Sequence, residues 1–213
     1  MICGVDEAGK GSVLGPMVIA GVGVRSADAF SDLEVNDSKM LTPAKREQLY
    51  PLIRKRCRVA TIVIPAPEID SIRREMTMNA CVARAHGEVI RRLSPTVAYI
   101  DACDVNTSRY AKEVKIHIGF PCKLVSEHHA DQTYPVVSAA SIVAKVTRDR
   151  EVRKLARTYG DIGSGYPSDP VTITYLNAYI ETHKVPPPIA RTSWKTVSAI
   201  LNMRAQSRLS EFF

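Results

Sequence analysis

Asp6 and Glu7 in the run GVDEAGKG, Asp101 at the end of VAYID and Asp131 in SEHHADQTYP are four carboxylates whose placement invites chemistry. Three of them stand where an apolar, strand-like run stops or a helical pattern is about to begin, and a fold can gather distant side chains at such places. Clustered carboxylate oxygens suit a hard divalent cation, since Mg2+ and Mn2+ favour carboxylates, water and phosphate oxygens. A pair of such ions can activate water and stabilise a departing oxygen, so the expected chemistry is phosphodiester hydrolysis. The glycines that follow, Gly9, Gly11 and Gly15, let backbone approach a ligand closely. Taken alone, that run could be a tight connection to MVIAGVGV, and an Asp-Glu pair at a strand end is often a solvated edge. No helix is expected after the loop, which sets aside a dinucleotide-binding turn.

The elements that must position these residues form an alternating pattern. Strands are expected near 2–6, 17–24, 58–64, 97–101 and 122–126, each rich in Val, Ile or alternating apolar residues. A helix should begin with Thr42 as N-cap and Pro43 at its first position and run to about Arg56. A second should cover roughly 76–93, stopped by Ser94-Pro95, and the longest should run from Pro135 to Tyr159, closed by Gly160. In a regular first strand Asp6 and Glu7 point to opposite faces, so Glu7 joins Asp6 only where the chain bends into the glycine loop. If the strand ending at Asp101 is a parallel neighbour of the first, Asp101 falls beside Asp6, at the strand ends where open α/β sheets bind ligands. Asp131 is expected just ahead of the longest helix, where unpaired N–H groups favour an anion. Asp104 reads as a loop residue capping the next element, and His128 and His129 read as surface or core residues rather than metal ligands.

Composition narrows the function classes. At 213 residues, 45% of them hydrophobic, the chain can bury the core of one sizeable domain. No apolar stretch is long enough to span a bilayer and no leader opens the sequence, so a cytoplasmic protein is expected. The five cysteines are an odd number without CxxC spacing, which argues against a disulfide framework and a zinc site. A net charge of +7 attracts polyanions through a salt-sensitive, sequence-independent pull. The basic residues cluster at 45–58 and 145–157, and either cluster could be a solvated helix face or part of a nucleic-acid track.

The motifs DEAGKG with GPMVIAGV, DSKML, AYIDACDV, HHADQTYPVVSAASIVAKVTRDR, GSGYPSDP and RTSWKT occur in an order that resembles ribonuclease HII, archaeal forms above all, across most of residues 3–195. The resemblance implies a ribonuclease H-like fold, with a mixed five-stranded α/β sheet flanked by helices and a helical C-terminal extension. It also implies that Asp6, Glu7, Asp101 and Asp131 hold Mg2+ or Mn2+ and cleave RNA/DNA hybrids or ribonucleotides embedded in duplex DNA. The cut would fall on the 5' side of the ribonucleotide and leave a 3'-hydroxyl and a 5'-phosphate. By the same resemblance Tyr166 packs against the sugar at the RNA-to-DNA junction, while the backbone of Gly9, Lys10 and Gly11 reads the 2'-hydroxyl. Lys10 stands where the family often has arginine, which keeps the charge but loses the planar fork. Lys39, Lys145 and Arg148 are further phosphate-contact candidates.

The last eight residues, Gln206 to Phe213, resemble the QxxLxxFF pattern of peptides that bind the sliding clamp PCNA. One helical turn would set Leu209, Phe212 and Phe213 toward an apolar pocket, with Gln206 as a polar anchor. The competing possibility is a tail folded onto its own domain. The expected organisation is a catalytic domain over 1–195 and an extension with a clamp-binding tail over 196–213, acting as a monomer. Two alternatives are a DNA-only nuclease of the same fold class, which would not need Tyr166 or the loop of Gly9, Lys10 and Gly11, and a non-catalytic hybrid-binding protein tethered to the clamp, which would not cut under any divalent ion.

Overall fold

The computed structural model describes residues 1–33, 35 and 41–210, the side chains at 27 and 205–210 excepted. Strands β1 (Ile2–Ala8), β2 (Met17–Val24), β3 (Arg58–Ile64), β4 (Val97–Asp101) and β5 (Lys123–Glu127) form one sheet in the order β3-β2-β1-β4-β5. β1 runs antiparallel to β2 and parallel to β4, and β4 runs parallel to β5. The sheet is therefore mixed, with β1 at its centre. All five strands lie where the apolar runs place them.

The helices are α1 (Pro43–Arg56), α2 (Ala66–Ile72), α3 (Met78–Leu93), α4 (Thr107–Ile116), α5 (Ala130–Thr133), α6 (Pro135–Tyr159), α7 (Pro170–His183) and α8 (Lys195–Ser210). Thr42 caps α1 as expected, its hydroxyl accepting the Lys45 N–H at 3.2 Å. Ser94, in the left-handed region, ends α3 one residue before Pro95. α6 occupies the full span that its spacing predicts. Two short helices, α2 and α5, carry no such signal, being too brief to show a helical period. Asp131 lies just ahead of α6, as expected, within the single turn of α5, and Tyr134 separates the two helices.

The chain gathers into two compact units. The first comprises Met1–Ala8, Val18–Val63 and Met76–Arg148, and the second Gly9–Met17, Ile64–Glu75 and Asp149–Phe213. In the first, Val18, Ala20 and Val22 of β2 share an apolar core with Val136, Val137, Ala140 and Val143 of α6. Gly4 explains how α6 reaches β1: a Cβ there would sit 2.4 Å from the backbone of Val136 and Val137, so any other residue would push the helix away. In the second, Val13 and Leu14 pack with Ile162, Leu176, Ile180, Ile189, Val197 and Ile200. No helix among the described residues is long and apolar enough to cross a membrane.

Candidate active site

The register of β1 against β4 pairs Gly4 with Tyr99 and Val5 with Ile100, so Asp6 and Asp101 come next, at the carboxyl ends of adjacent parallel strands. Partners in a parallel ladder point to the same face, and Gly4 fixes that face as the one covered by α6. The ring of Tyr99 agrees, lying 4.3 Å from that of Tyr134, just ahead of α6. Asp101 accepts the Ala130 N–H at 3.1 Å, and Asp131 is the next residue, 1% exposed. The carboxyl ends of two adjacent strands thus bring Asp6 and Asp101 together, and a single hydrogen bond ties the turn that carries Asp131 to them.

Asp6 is buried, and one of its oxygens accepts the Glu7 N–H at 2.7 Å. Burial first, and then the charges of Glu7 and Asp101, push its carboxyl up to about 7, with Lys145 and the Ser141 hydroxyl pulling the other way. Lys145 donates to Ser141, one turn back on α6. Lys145 does not offset the burial and negative charge that raise this carboxyl, and its carboxylate and hydroxyl neighbours are oxygen donors of the kind a hard divalent cation prefers. The residues fit such an ion in chemistry. Among the described residues no three His, Cys, Asp or Glu side chains converge as a ready-made metal cluster.

Glu7 takes a different course from Asp6. β1 stays regular through Ala8, pairing with Val18, so Glu7 projects to the face opposite Asp6, where its carboxylate meets His86 of α3 at 3.1 Å. Its charge still raises Asp6. Asp104 behaves as a capping residue: it accepts the Asn106 N–H at 2.9 Å and binds Arg109, steadying the entry to α4. His128 is exposed, its Nε2 3.4 Å from the Val105 carbonyl oxygen, and His129 precedes α5 in the left-handed region.

The second unit assembles the glycine loop. Tyr166 Oη accepts the Gly9 N–H at 3.1 Å, so two segments singled out separately in the sequence are directly bonded. The Gly165 carbonyl accepts the N–H groups of Val13 and Leu14 at 2.8 and 3.1 Å, and Thr172 Oγ1 accepts the Gly165 N–H. Gly11 is exposed and Lys10 half-buried. Of the other basic candidates, Arg148 is buried, Lys145 faces the acids, and Lys39 lies outside the described residues. Gln206 and Leu209 fall on the helical backbone of α8, while Phe212 and Phe213 lie outside the described residues.

Arg191 was not anticipated as a functional residue. Its guanidinium is wholly buried and donates to the Gly15 carbonyl from Nε and Nη2 at 3.2 and 3.1 Å, and to the Lys10 carbonyl from Nη1 at 2.9 Å. It also lies 5.0 Å from the Trp194 ring. Next to it, Thr192 and Ser193 bind the Asp70 carboxylate through backbone and hydroxyl groups. Both ends of the glycine loop thus hang on one planar fork, which an ammonium cannot reproduce. Arg191→Lys should cost about 3 kcal/mol, given 1.5–3 kcal/mol for a hydrogen bond to a charged group. In a chain of this size that lowers the thermal midpoint by about 6–12 °C. A melting curve superimposable on that of the unaltered protein would show that the loop does not depend on the fork.

Two long-range patterns, an acidic strand edge and a glycine loop bonded to a tyrosine, now stand beside the comparison with known proteins. The sequence profile of ribonuclease HII matches residues 3–197. The chain is 67% identical over 213 residues to the ribonuclease HII of Methanoregula boonei, covering 100% of both. The chain belongs to the ribonuclease HII family. It is accordingly a hydrolase, an endonuclease that acts on the RNA of RNA/DNA hybrids. The fold is the ribonuclease H-like one of solved family members. The ribonuclease H2 of Pyrococcus horikoshii superposes with a TM-score of 0.89 at 38% identity, covering 96% of this chain and 99% of that one. The structure of a PCNA:RNase HII complex from Archaeoglobus fulgidus contains a chain that matches with a TM-score of 0.87 at 42% identity, covering 94% and 96%.

Proposed function

We propose that this ribonuclease HII hydrolyses the phosphodiester on the 5' side of a ribonucleotide, in a hybrid or embedded in duplex DNA, leaving a 3'-hydroxyl and a 5'-phosphate. The observation that carries the proposal is the β1/β4 register, which sets Asp6 and Asp101 side by side at one strand end with Asp131 tied close by. Asp6, Glu7, Asp101 and Asp131 would hold Mg2+ or Mn2+. When bound, such ions supply an activated water and stabilise the departing 3' oxygen. The carboxylates provide negative charge and orientation, and Lys145 offsets part of that charge at Asp6. Arg148 and Lys10 remain candidates for phosphate contact, and Lys39 is proposed from the sequence alone.

Substrate choice is assigned to the glycine loop and Tyr166. The backbone of Gly9, Lys10 and Gly11 would read the 2'-hydroxyl, and the Tyr166 ring would pack on the following deoxyribose. Their mutual bond supports a joint role, since a shift in one displaces the other. Tyr166→Ala should reduce cleavage at an isolated ribonucleotide more than binding to a uniform hybrid, because sugar recognition is local whereas phosphate contacts extend along the duplex. Tyr166→Phe keeps the ring and should lie between the two. Equal losses on single-ribonucleotide and all-RNA-strand substrates would remove Tyr166 from the recognition set. The whole proposal is tested by incubating the protein with a duplex holding one ribonucleotide, with Mg2+ or with chelator, and mapping the cut. Cleavage with chelator present, or on the 3' side, would overturn it.

The C-terminal tail is proposed to bind the sliding clamp PCNA through Gln206, Leu209, Phe212 and Phe213. Support comes from the match to the QxxLxxFF pattern and from the Archaeoglobus fulgidus relative, whose solved structure is a complex with PCNA.

A further inference from the structure

Glu7 has surroundings unlike those of the three aspartates. Its Oε2 lies 3.1 Å from His86 Nε2, and His86 Nδ1 lies 3.0 Å from the Tyr110 hydroxyl of α4. The His86 and Tyr110 rings meet edge to face, 5.8 Å apart, and both side chains are wholly buried. The helices that carry them are locked together at the adjacent residue. A Cβ on Gly87 would stand 2.5 Å from His117 Cβ and 2.9 Å from the Val114 carbonyl oxygen, a closeness only glycine permits. The imidazole therefore has both nitrogens engaged and a rigid mount. A neutral ring with its proton on Nε2 donates to Glu7 and accepts the Tyr110 proton at Nδ1, and a protonated ring donates on both sides. Glu7 receives a donor in either state.

A buried imidazole needs a partner at each nitrogen, which Glu7 and Tyr110 supply, and a carboxylate that shares a cation in turn needs a fixed orientation. We propose that His86, braced by Tyr110, is a positioning residue that fixes the Glu7 carboxylate and so sets how tightly the acidic site binds a divalent ion. This rests on Glu7 being one of the four site carboxylates, the reading given under the proposed function. The chain contributes no other side-chain hydrogen bond to Glu7 among those described, so its orientation depends on one imidazole.

The test compares Glu7→Gln, His86→Gln, His86→Asn and Tyr110→Phe in the full-length protein. Mn2+ affinity is measured by electron paramagnetic resonance without nucleic acid, and kcat and KM on a duplex with one ribonucleotide. Gln places an amide where Nε2 stood and can still donate to Glu7, whereas the shorter Asn replaces Nδ1 and cannot. His86→Asn should weaken Mn2+ binding by about 10- to 100-fold, the usual effect of removing a partner of a metal ligand, and lower kcat at limiting Mn2+ with KM for the duplex unchanged. His86→Gln should recover most of that loss, and Tyr110→Phe should show a smaller loss of the same kind. If Glu7→Gln binds Mn2+ weakly and cuts poorly while both His86 variants match the unaltered protein, the positioning role is wrong but the site stands. If Glu7→Gln itself is unimpaired, the assignment of Glu7 fails and the positioning role with it. Should His86→Asn fail to fold by circular dichroism, Tyr110→Phe decides, and an unchanged Mn2+ affinity in that variant overturns the proposal.

Discussion

Asp101→Asn should lower single-turnover cleavage of a duplex containing one ribonucleotide by about 10³-fold, while binding of the same duplex largely survives. The magnitude follows from losing several kcal/mol of transition-state charge stabilisation, at 1.36 kcal/mol per decade. The substitution is chosen because it keeps the shape of the side chain. An asparagine Oδ1 can still accept the Ala130 N–H, so the turn that carries Asp131 keeps its anchor. Removing the Asp101 charge also removes one of the repulsions that raise the Asp6 carboxyl. The thermal midpoint in chelator should therefore hold steady or rise, and the gain in midpoint on adding Mg2+ should shrink, because a ligand that binds only the folded state stabilises according to its affinity. Near-normal turnover at saturating Mg2+ would remove Asp101 from the catalytic set. A lowered midpoint in chelator would show that the charge serves the fold rather than the chemistry.

The strands and long helices were legible in the sequence because each carries a local signal. The apolar runs of β1 to β5 and the capping residues Thr42 and Gly160 act within a few positions of their own elements, so periodicity and turn chemistry locate them. The placement of Asp101 beside Asp6 was legible for a related reason: once β1 and β4 are read as parallel neighbours, the rule for strand ends does the rest. The opposite projection of Asp6 and Glu7 also follows from the two-residue repeat of a strand. What that repeat could not reveal is the occupant of the far face. His86 sits in an apolar helical run, MNACVARAHGEV, where a buried histidine looks like any other core position, and its partners come from β1 and α4.

The second unit was the least legible part. It draws on three separate stretches, with the glycine loop sharing one core with residues of α6, α7 and α8, and α2 belonging to the same unit. The bonds that anchor the loop join residues far apart in sequence: Gly9 to Tyr166, and Lys10 and Gly15 to Arg191. A one-dimensional pattern holds no record of such pairs. A signal for Arg191 existed only in its company, a basic residue in a run with Trp194, and a fully buried guanidinium needs acceptors that only the folded loop supplies. The short helices α2 and α5 escaped because fewer than two turns show no period.

Deleting residues 206–213 should abolish binding to the sliding clamp and leave cleavage of a short free duplex intact. The described structure locates a safe cut. Val197 and Ile200 of α8 are buried in the core of the second unit, and Arg204 Nη2 donates to the Asn177 carbonyl and the Glu181 carboxylate, both at 3.2 Å. These anchors all precede residue 206, so the truncated chain retains them. The clamp affinity should come chiefly from the apolar side chains, since a few anchors entering pockets commonly dominate an interface. At about 2 kcal/mol for each hot-spot side chain, and 1.4 kcal/mol per decade, replacing Phe212 and Phe213 together with alanine should weaken binding by about 10³-fold. Titration of the intact, truncated and doubly substituted proteins against purified clamp measures this, and circular dichroism checks that each remains folded. Equal affinity for intact and truncated chains would mean that the clamp is not held by the tail. Unfolding of the truncated chain would mean that the phenylalanines belong to the core of the second unit, and the tail would then be a structural element of the nuclease itself.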